Sequence, residues 1–219
     1  MPNAVNITLD EARELVSNRL LWPRVSEFLW DFAPQVHESW LEPKQLSLRD
    51  SPRVKRYILD SLGVEPCFHT FPKEDGSRIL LLDGATLEST AKWLGALACA
   101  ESLRRVTSGE VVRGLKSKFR GIYPEVFGYT AYFSGFDLSA KNAMDAKNPE
   151  EVVSVGLELL SSLLDACPEP LVTRFKLKLP KKLCERGVAN GEKQELISAG
   201  GAVKKLLKLK FPEAYRLCC

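Results

Sequence analysis

Long apolar segments, paired cysteines and histidines are scarce in this sequence of 219 residues, and each scarcity argues against a class of protein. Apolar runs such as Ile79–Leu82 are far shorter than the roughly 20 residues needed to span a bilayer, so no membrane insertion is expected. The first residues show no basic segment followed by an apolar one, which argues against a secretory signal. The six cysteines form no C-x-x-C pair, which favours a reducing compartment. These features predict a cytoplasmic protein.

Catalytic and metal-binding motifs are also missing. The sequence contains no G-x-x-x-x-G-K-[ST] phosphate loop, no nucleophile elbow, no zinc-ligand spacing and only two histidines. Cys67, His69 and Asp75 come nearest to a catalytic group, and they would have to converge in a pocket to act as one. We therefore expect no enzymatic activity, no cofactor and no metal site, and we keep an enzyme centred on these three residues as a separate hypothesis.

The charge of the chain is concentrated at its C-terminal end. Residues 1–170 contain 19 Lys/Arg and 24 Asp/Glu, whereas residues 171–219 contain 12 and 4. A basic segment of this kind can bind an acidic protein, a nucleic acid or a membrane surface, and charge alone does not choose among them. We predict that a basic strip, defined as Lys176, Lys178, Lys181 and Lys182, binds an acidic partner surface. The alternative is that these lysines form a solvated face.

Hydrophobic spacing predicts a mainly α protein. The clearest helix follows Asn148, which suits an N-cap, and continues with Pro149, two glutamates in its first turn and apolar residues around most of its circumference. Other helices are predicted near residues 25–32, 53–62, 85–106, 111–119 and 192–209. Two segments, 123–136 and 181–191, are predicted loops. Trp22, Trp30 and Trp40 predict either a packed aromatic cluster or an exposed docking patch, of which packing is the more common outcome.

Two segments suggest β structure. Cys67–Phe71 and Arg78–Leu82 flank an Asp75-Gly76 turn, which predicts one short β-hairpin near residues 67–82. Basic and apolar residues alternate over Arg174–Pro180, which is typical of either a half-exposed strand or a helix end with lysines pointing outward. The predicted fold is thus an irregular multi-helix domain with one hairpin. Its predicted division is an N-terminal helical region, 1–78, and a second helical region, 79–219.

The order of several segments resembles a known family. An apolar helix after ILLLDG is followed by LRRVTSGEVVRGLKSKFRGIYP, then VGLELLSSLLDACPEPLVTRFKLKLP, then a closing helix with LLKLKFP. This order resembles the K component of type III secretion systems, the SctK/YscK/OrgA family. The likeness is clearest over Ile79–Gly121 and Val152–Phe211. Residues 1–78 share with the family only their helical character and their tryptophans.

The resemblance implies a non-enzymatic adaptor of the type III secretion sorting platform, at the cytoplasmic face of the inner membrane. Members of the family link the forkhead-associated-like cytoplasmic domain of the inner-membrane ring protein to the Q-type pod protein, and through it to the stator and ATPase. The resemblance implies no cofactor, no nucleic acid and no direct membrane insertion.

A nucleic-acid-binding module is the alternative that the residues leave open. It would use the basic segments 113–120 and 174–182, in which Arg113, Lys116, Lys118 and Arg120 alternate with apolar residues near Phe119 and Tyr123. Such a module would present a contiguous basic surface and bind with a steep dependence on salt.

Overall fold

The computed structural model describes Arg13 and residues 16–72, 76–136, 138, 148–165, 167–187 and 196–219. Most of these residues are helical and none of them is in a strand, which confirms the mainly α prediction. The α-helices are α1 (Leu21–Trp30), α2 (Pro43–Leu48), α3 (Pro52–Ser61), α4 (Gly84–Ala98), α5 (Ala100–Arg104), α6 (Gly109–Lys118), α7 (Val126–Phe133), α8 (Pro149–Ser162), α9 (Glu169–Leu177), α10 (Lys181–Gly187), α11 (Leu196–Lys210) and α12 (Pro212–Cys218). Short 3₁₀ helices lie at Ala33–Gln35, Glu38–Trp40 and Ser77–Leu81. Among the helices described, none is long and apolar enough to cross a bilayer.

The chain packs as two compact units, and both are discontinuous in sequence. Unit 1 comprises Met1–Gly84, Cys167–Lys181 and Leu217–Cys219, and unit 2 comprises Ala85–Ala166 and Lys182–Arg216. The predicted division into 1–78 and 79–219 stays a prediction.

Unit 1 has an apolar core to which α1 contributes four buried residues. The apolar residues of this helix recur at helical spacing, so that Leu21, Val25, Phe28 and Leu29 are all buried. The ring of Phe28 meets Phe32 and Phe71 edge to face, with ring centres 5.5 Å and 5.7 Å away. Helix α9 contributes Leu171 and Phe175 to the buried set. A segment from late in the sequence therefore completes the core of the N-terminal helices.

Unit 2 is built around α8, whose predicted cap is confirmed. The Asn148 Oδ1 accepts hydrogen bonds from the amides of Glu150 and Glu151, both at 3.0 Å, and the Glu151 carboxylate accepts one from the Asn148 amide. This reciprocal arrangement satisfies amides at the helix start that have no partner within the helix. Helices α6 and α11 pack against α8.

Helices α4 and α8 approach each other at two glycines. A Cβ atom on Gly95 would overlap the carbonyl oxygen of Val152, and one on Gly156 would overlap the carbonyl oxygen of Ala91. Because no side chain separates them, the two backbones are in direct contact. Glycine is the residue that permits this distance.

The predicted β-hairpin near residues 67–82 is wrong. Residues 67–72 have no regular secondary structure, Gly76 has a left-handed conformation with φ of 73°, and the following residues form the 3₁₀ helix Ser77–Leu81. All five residues of that helix are buried, so the run has no solvent face and therefore no alternation that would mark a half-buried strand. The Nε of Arg78, itself buried, donates to the Phe71 carbonyl at 2.7 Å and fixes the turn. Asp75 lies outside the described residues.

Other boundaries differ from the sequence prediction in informative ways. The long helix expected at 85–106 is interrupted at Cys99 between α4 and α5. The expected loop at 123–136 contains α7, and the expected loop at 181–191 contains α10, as far as that segment is described. The alternating segment 174–180 is the end of helix α9 and not a strand. The polar segment 139–147, predicted as a hinge, lies outside the described residues.

Candidate partner-binding surfaces

The four lysines of the basic strip do not share one surface. Lys181 and Lys182 are exposed, Lys176 is half-buried, and Lys178 is only 2% exposed. The prediction that Lys178 faces a partner is therefore corrected, because its ammonium lies inside unit 1. A partner-binding role for the other three lysines stays a prediction.

The Lys178 ammonium is held by backbone carbonyls and an aromatic ring. Its Nζ donates to the carbonyl oxygens of Leu80 at 2.7 Å and Leu82 at 2.8 Å, and it lies 4.7 Å from the ring centre of Phe28. An ammonium has three hydrogens, and these three neighbours can accept all of them. Burial lowers the pKa of Lys178 to about 7, although the negative charge of Asp83 opposes this shift.

Arg174, one helical turn earlier, performs a similar task. Its Nη1 donates to the carbonyls of Phe28 at 2.6 Å and Leu29 at 3.1 Å, near the C-terminal end of α1, and its Nη2 donates to the Glu65 carbonyl at 3.1 Å. A cation at a helix C-terminus satisfies free carbonyls and complements the helix dipole. Burial lowers the pKa of Arg174 from its ordinary high value, so these contacts are made by a group that is costly to bury. Arg174 and Lys178 thus fasten α9 to three distant backbone segments.

The exposed part of the strip is anchored beside Trp40. The indole Nε1 of Trp40 donates to the Leu179 carbonyl at 2.8 Å, and the Lys181 amide donates to the Ser39 hydroxyl at 2.9 Å. The Lys181 ammonium lies 5.5 Å from the Trp40 ring centre. An exposed lysine on a half-buried tryptophan combines charge with apolar area, which is a suitable composition for a contact with an acidic protein surface.

The segments of the nucleic-acid alternative are only partly available to phosphates. Arg113, Lys116, Lys118 and Arg120 are exposed on or just after α6, but Phe119 is buried and Lys118 pairs with Glu150 at 3.2 Å. In segment 174–182 the two residues Arg174 and Lys178 donate to backbone carbonyls inside unit 1. These contacts reduce the basic surface that the alternative requires.

The enzyme hypothesis gains no support from the thiol at its centre. Burial raises the pKa of Cys67, with partial opposition from the nearby Arg174 charge, so the thiol is less readily ionised than an ordinary cysteine. His69 accepts a hydrogen bond from the Phe71 amide at its Nδ1, 3.0 Å away, and its ring packs against Phe71. The described residues contain no group of three or more metal-ligating side chains.

Two tryptophans form a patch at the surface of unit 1. Trp30 is 58% exposed and its ring meets that of the half-buried Trp22 edge to face, with centres 5.7 Å apart. Leu20 nearby in sequence is 70% exposed. The expectation that the tryptophans pack in the core is therefore wrong for Trp30. Trp30 follows Trp22 by eight residues on α1, and residues with this spacing lie on the same side of a helix. This spacing is the sequence signal that could have placed both rings on the outer face.

These features define a class of helical protein. Its buried cations hold segments of the backbone together, and its exposed groups are apolar and basic. Comparison with known proteins finds a family that matches part of the chain. Residues 24–122, somewhat under half of the chain, match the family described as YOP proteins translocation protein K (YscK). This match supports a type III secretion protein of the SctK/YscK family. No curated protein and no solved structure matches it.

The extent of the match refines the resemblance seen in the sequence. The match includes the segment Ile79–Gly121, which carried part of that resemblance. It also begins at residue 24, so the likeness is stronger in 24–78 than the sequence analysis indicated. The segment Val152–Phe211 lies outside the match. Trp30, Trp40 and the carbonyls of Leu80 and Leu82 lie within it.

Proposed function

We propose that the protein is a non-enzymatic adaptor of the type III secretion sorting platform. It lies in the cytoplasm, peripheral to the inner membrane. There it links the forkhead-associated-like domain of the inner-membrane ring protein to the Q-type pod protein, and indirectly to the stator and ATPase. The observation that carries the proposal is the match of residues 24–122 to the YscK family.

The placement of charge within unit 1 supports a structural role. The buried cations, Arg174 and Lys178, donate to backbone carbonyls and lie against aromatic rings. These contacts hold segments of the backbone together inside unit 1. The exposed groups at the surface, Trp30, Lys181 and Lys182, suit contacts with other proteins.

An affinity pull-down of the tagged protein from its native cells, at near-physiological salt and with or without nuclease, tests the proposal. We expect the inner-membrane ring protein and the Q-type pod protein to be recovered, and nuclease to make no difference. Recovery of nucleic acid in place of these proteins, lost after nuclease treatment, would favour the nucleic-acid-binding alternative and contradict the adaptor. A monomer without any partner would also contradict it.

A further inference from the structure

Helix α7, together with Glu125 and Phe136 on either side of it, lies along helix α11 of unit 2 at three contacts. At one end Gly201 lies against the ring of Phe136, where a Cβ would come within 2.7 Å of the ring. In the middle Lys205 donates to the Tyr132 carbonyl and lies 5.6 Å from the Phe133 ring centre. At the other end Lys210 lies 4.2 Å from the Tyr129 ring centre and binds the Glu125 carboxylate at 2.8 Å. Residue numbers rise on one helix as they fall on the other, so the pair is antiparallel.

The outer face of α7 carries apolar and small residues. Gly128, Ala131 and Tyr132 are exposed and follow the spacing of one helix face, and Gly135, just beyond the end of the helix, is also exposed. Tyr132 is 61% exposed, and a Cβ on Gly128 or Gly135 would meet no atom within 4 Å. The sequence Val126–Phe133 contains no charged residue. Leu209 of α11, 46% exposed, follows Lys205 by one turn.

The neighbouring face of α11 is positively charged. Lys204 and Lys208 are exposed and one turn apart. The carboxylate of Glu125, which could offset them, is already paired with Lys210. Burial alone would lower the pKa of Lys210, but its hydrogen bonds to Glu125 and Tyr129 raise it, so this pairing persists at neutral pH. Lys204 and Lys208 thus add positive charge to the surface of α11, the helix beside α7.

We propose that the α7/α11 surface, defined by Tyr132, Leu209, Lys204 and Lys208, docks an acidic amphipathic helix of a partner protein. The small residues of α7 allow another helix backbone to approach closely, and Tyr132 and Leu209 supply apolar contacts. The lysines select acidic residues beside the partner's apolar stripe, and like charge excludes a basic helix. The inference rests on the proposed adaptor function, which requires protein partners, and it lies outside the part of the chain matched to the YscK family.

Site-specific photo-crosslinking in the native cells tests this surface. A photoreactive p-benzoylphenylalanine replaces Tyr132, and the cross-linked peptides are sequenced. A matched control places the same residue at Tyr57 of unit 1, which is 62% exposed. We expect position 132 to capture a segment of another protein that has acidic residues beside an apolar helical stripe. We expect the Lys204→Glu, Lys208→Glu double variant to reduce this product at least tenfold.

A second double variant controls for the change in net charge. Arg113→Glu with Lys116→Glu reverses two exposed charges of α6 in the same unit, and it is expected to leave the product within twofold. Circular dichroism establishes that both variants remain folded. The proposal is overturned if position 132 yields no more product than position 57. It is equally overturned if the product is a second copy of this chain or if the charge reversal has no effect.

The wild-type pull-down separates this inference from the proposed function. If the pull-down recovers the ring and pod proteins while position 132 gives no acidic helix, the surface is wrong and the adaptor function stands. If the pull-down recovers neither protein, the adaptor function itself is wrong.

Discussion

The Lys178 Nζ lies 2.7 Å from the carbonyl oxygen of Leu80, a residue 98 positions earlier in the sequence. This contact joins the end of α9 to the 3₁₀ helix Ser77–Leu81, within the region matched to the YscK family. One of the four lysines predicted to meet a partner therefore holds unit 1 together.

Truncation of Lys178 is expected to destabilise the protein severely. Lys178→Ala leaves the carbonyls of Leu80 and Leu82 without their donor and opens a cavity beside Phe28, at a cost of about 3 kcal/mol in the free energy of unfolding. Urea denaturation followed by circular dichroism measures this difference. Lys181→Ala is the matched control, because Lys181 is exposed, and its cost is expected to stay within about 0.5 kcal/mol. Equal effects from both variants would show that the Lys178 contacts contribute little.

The stability of the protein is expected to rise as pH increases above neutrality. The pKa of Lys178 is about 7 in the folded protein and near its ordinary 10.5 in the unfolded chain. Between pH 7 and pH 10.5 the unfolded chain binds more protons than the folded protein. Each pH unit in this range therefore adds up to about 1.4 kcal/mol to the free energy of unfolding. Below pH 7 both states are protonated and the full cost of the buried charge remains.

This pH dependence is measured by urea denaturation between pH 6.5 and 8.5. Above that range the buried thiol of Cys99 opposes the trend, because burial raises its pKa to about 12 and its folded form retains a proton that the unfolded form loses. Lys178→Met removes the titrating group and is expected to remove the rise. A rise of the same size in that variant would assign the effect to another group.

The glycine contact between α4 and α8 is expected to tolerate no side chain. Gly95→Ala places a methyl group on the Val152 carbonyl and forces the helices apart, at a cost of about 3 kcal/mol. Gly114→Ala in α6 is the control, because its Cβ would meet only Pro149 at an ordinary 3.8 Å, and its higher helix propensity adds up to about 1 kcal/mol of stability. Thermal unfolding of both variants compares them. Similar melting temperatures would contradict the close packing of α4 and α8.

The three lysines of the basic strip that are not buried give a test that spares the buried contacts of Lys178. Lys176→Glu, Lys181→Glu and Lys182→Glu together reverse the accessible lysines and spare Lys178. We expect this triple variant to lose at least tenfold in affinity for the acidic partner, measured by titration calorimetry with the partner recovered in the pull-down. Unchanged affinity in a folded variant would remove these lysines from the partner-binding surface.

The sequence predicts this fold best where local chemistry decides it. The start of α8 follows from Asn148, Pro149 and Glu151, whose roles are set within four residues. The end of α3 is similarly marked by Gly63, which has a φ of 65°. Helix α7 was missed because VFGYTAYF has aromatic residues on several sides and no polar face that reveals a helical period.

The buried lysine was missed for a different reason. The alternation over Arg174–Pro180 predicts either a half-exposed strand or a helix end with lysines pointing outward, and both place the basic side chains, Arg174 and Lys178 among them, in solvent. At the helical period they are one turn apart and adjacent to Leu171 and Phe175, on the buried side of α9. The helical spacing that places Arg174 and Lys178 on the buried side can be read from the sequence. The groups that accept their hydrogen bonds cannot. The carbonyls of Phe28, Leu80 and Leu82 are brought to α9 only by the tertiary fold.

The central claim is that this protein links two others, and simultaneous binding tests it most directly. The purified protein is mixed with the cytoplasmic domain of the inner-membrane ring protein and with the Q-type pod protein, and the complexes are sized by gel filtration with light scattering. The adaptor proposal predicts one complex that contains all three proteins. Binding of neither protein, or binding of each only when the other is absent, would contradict it.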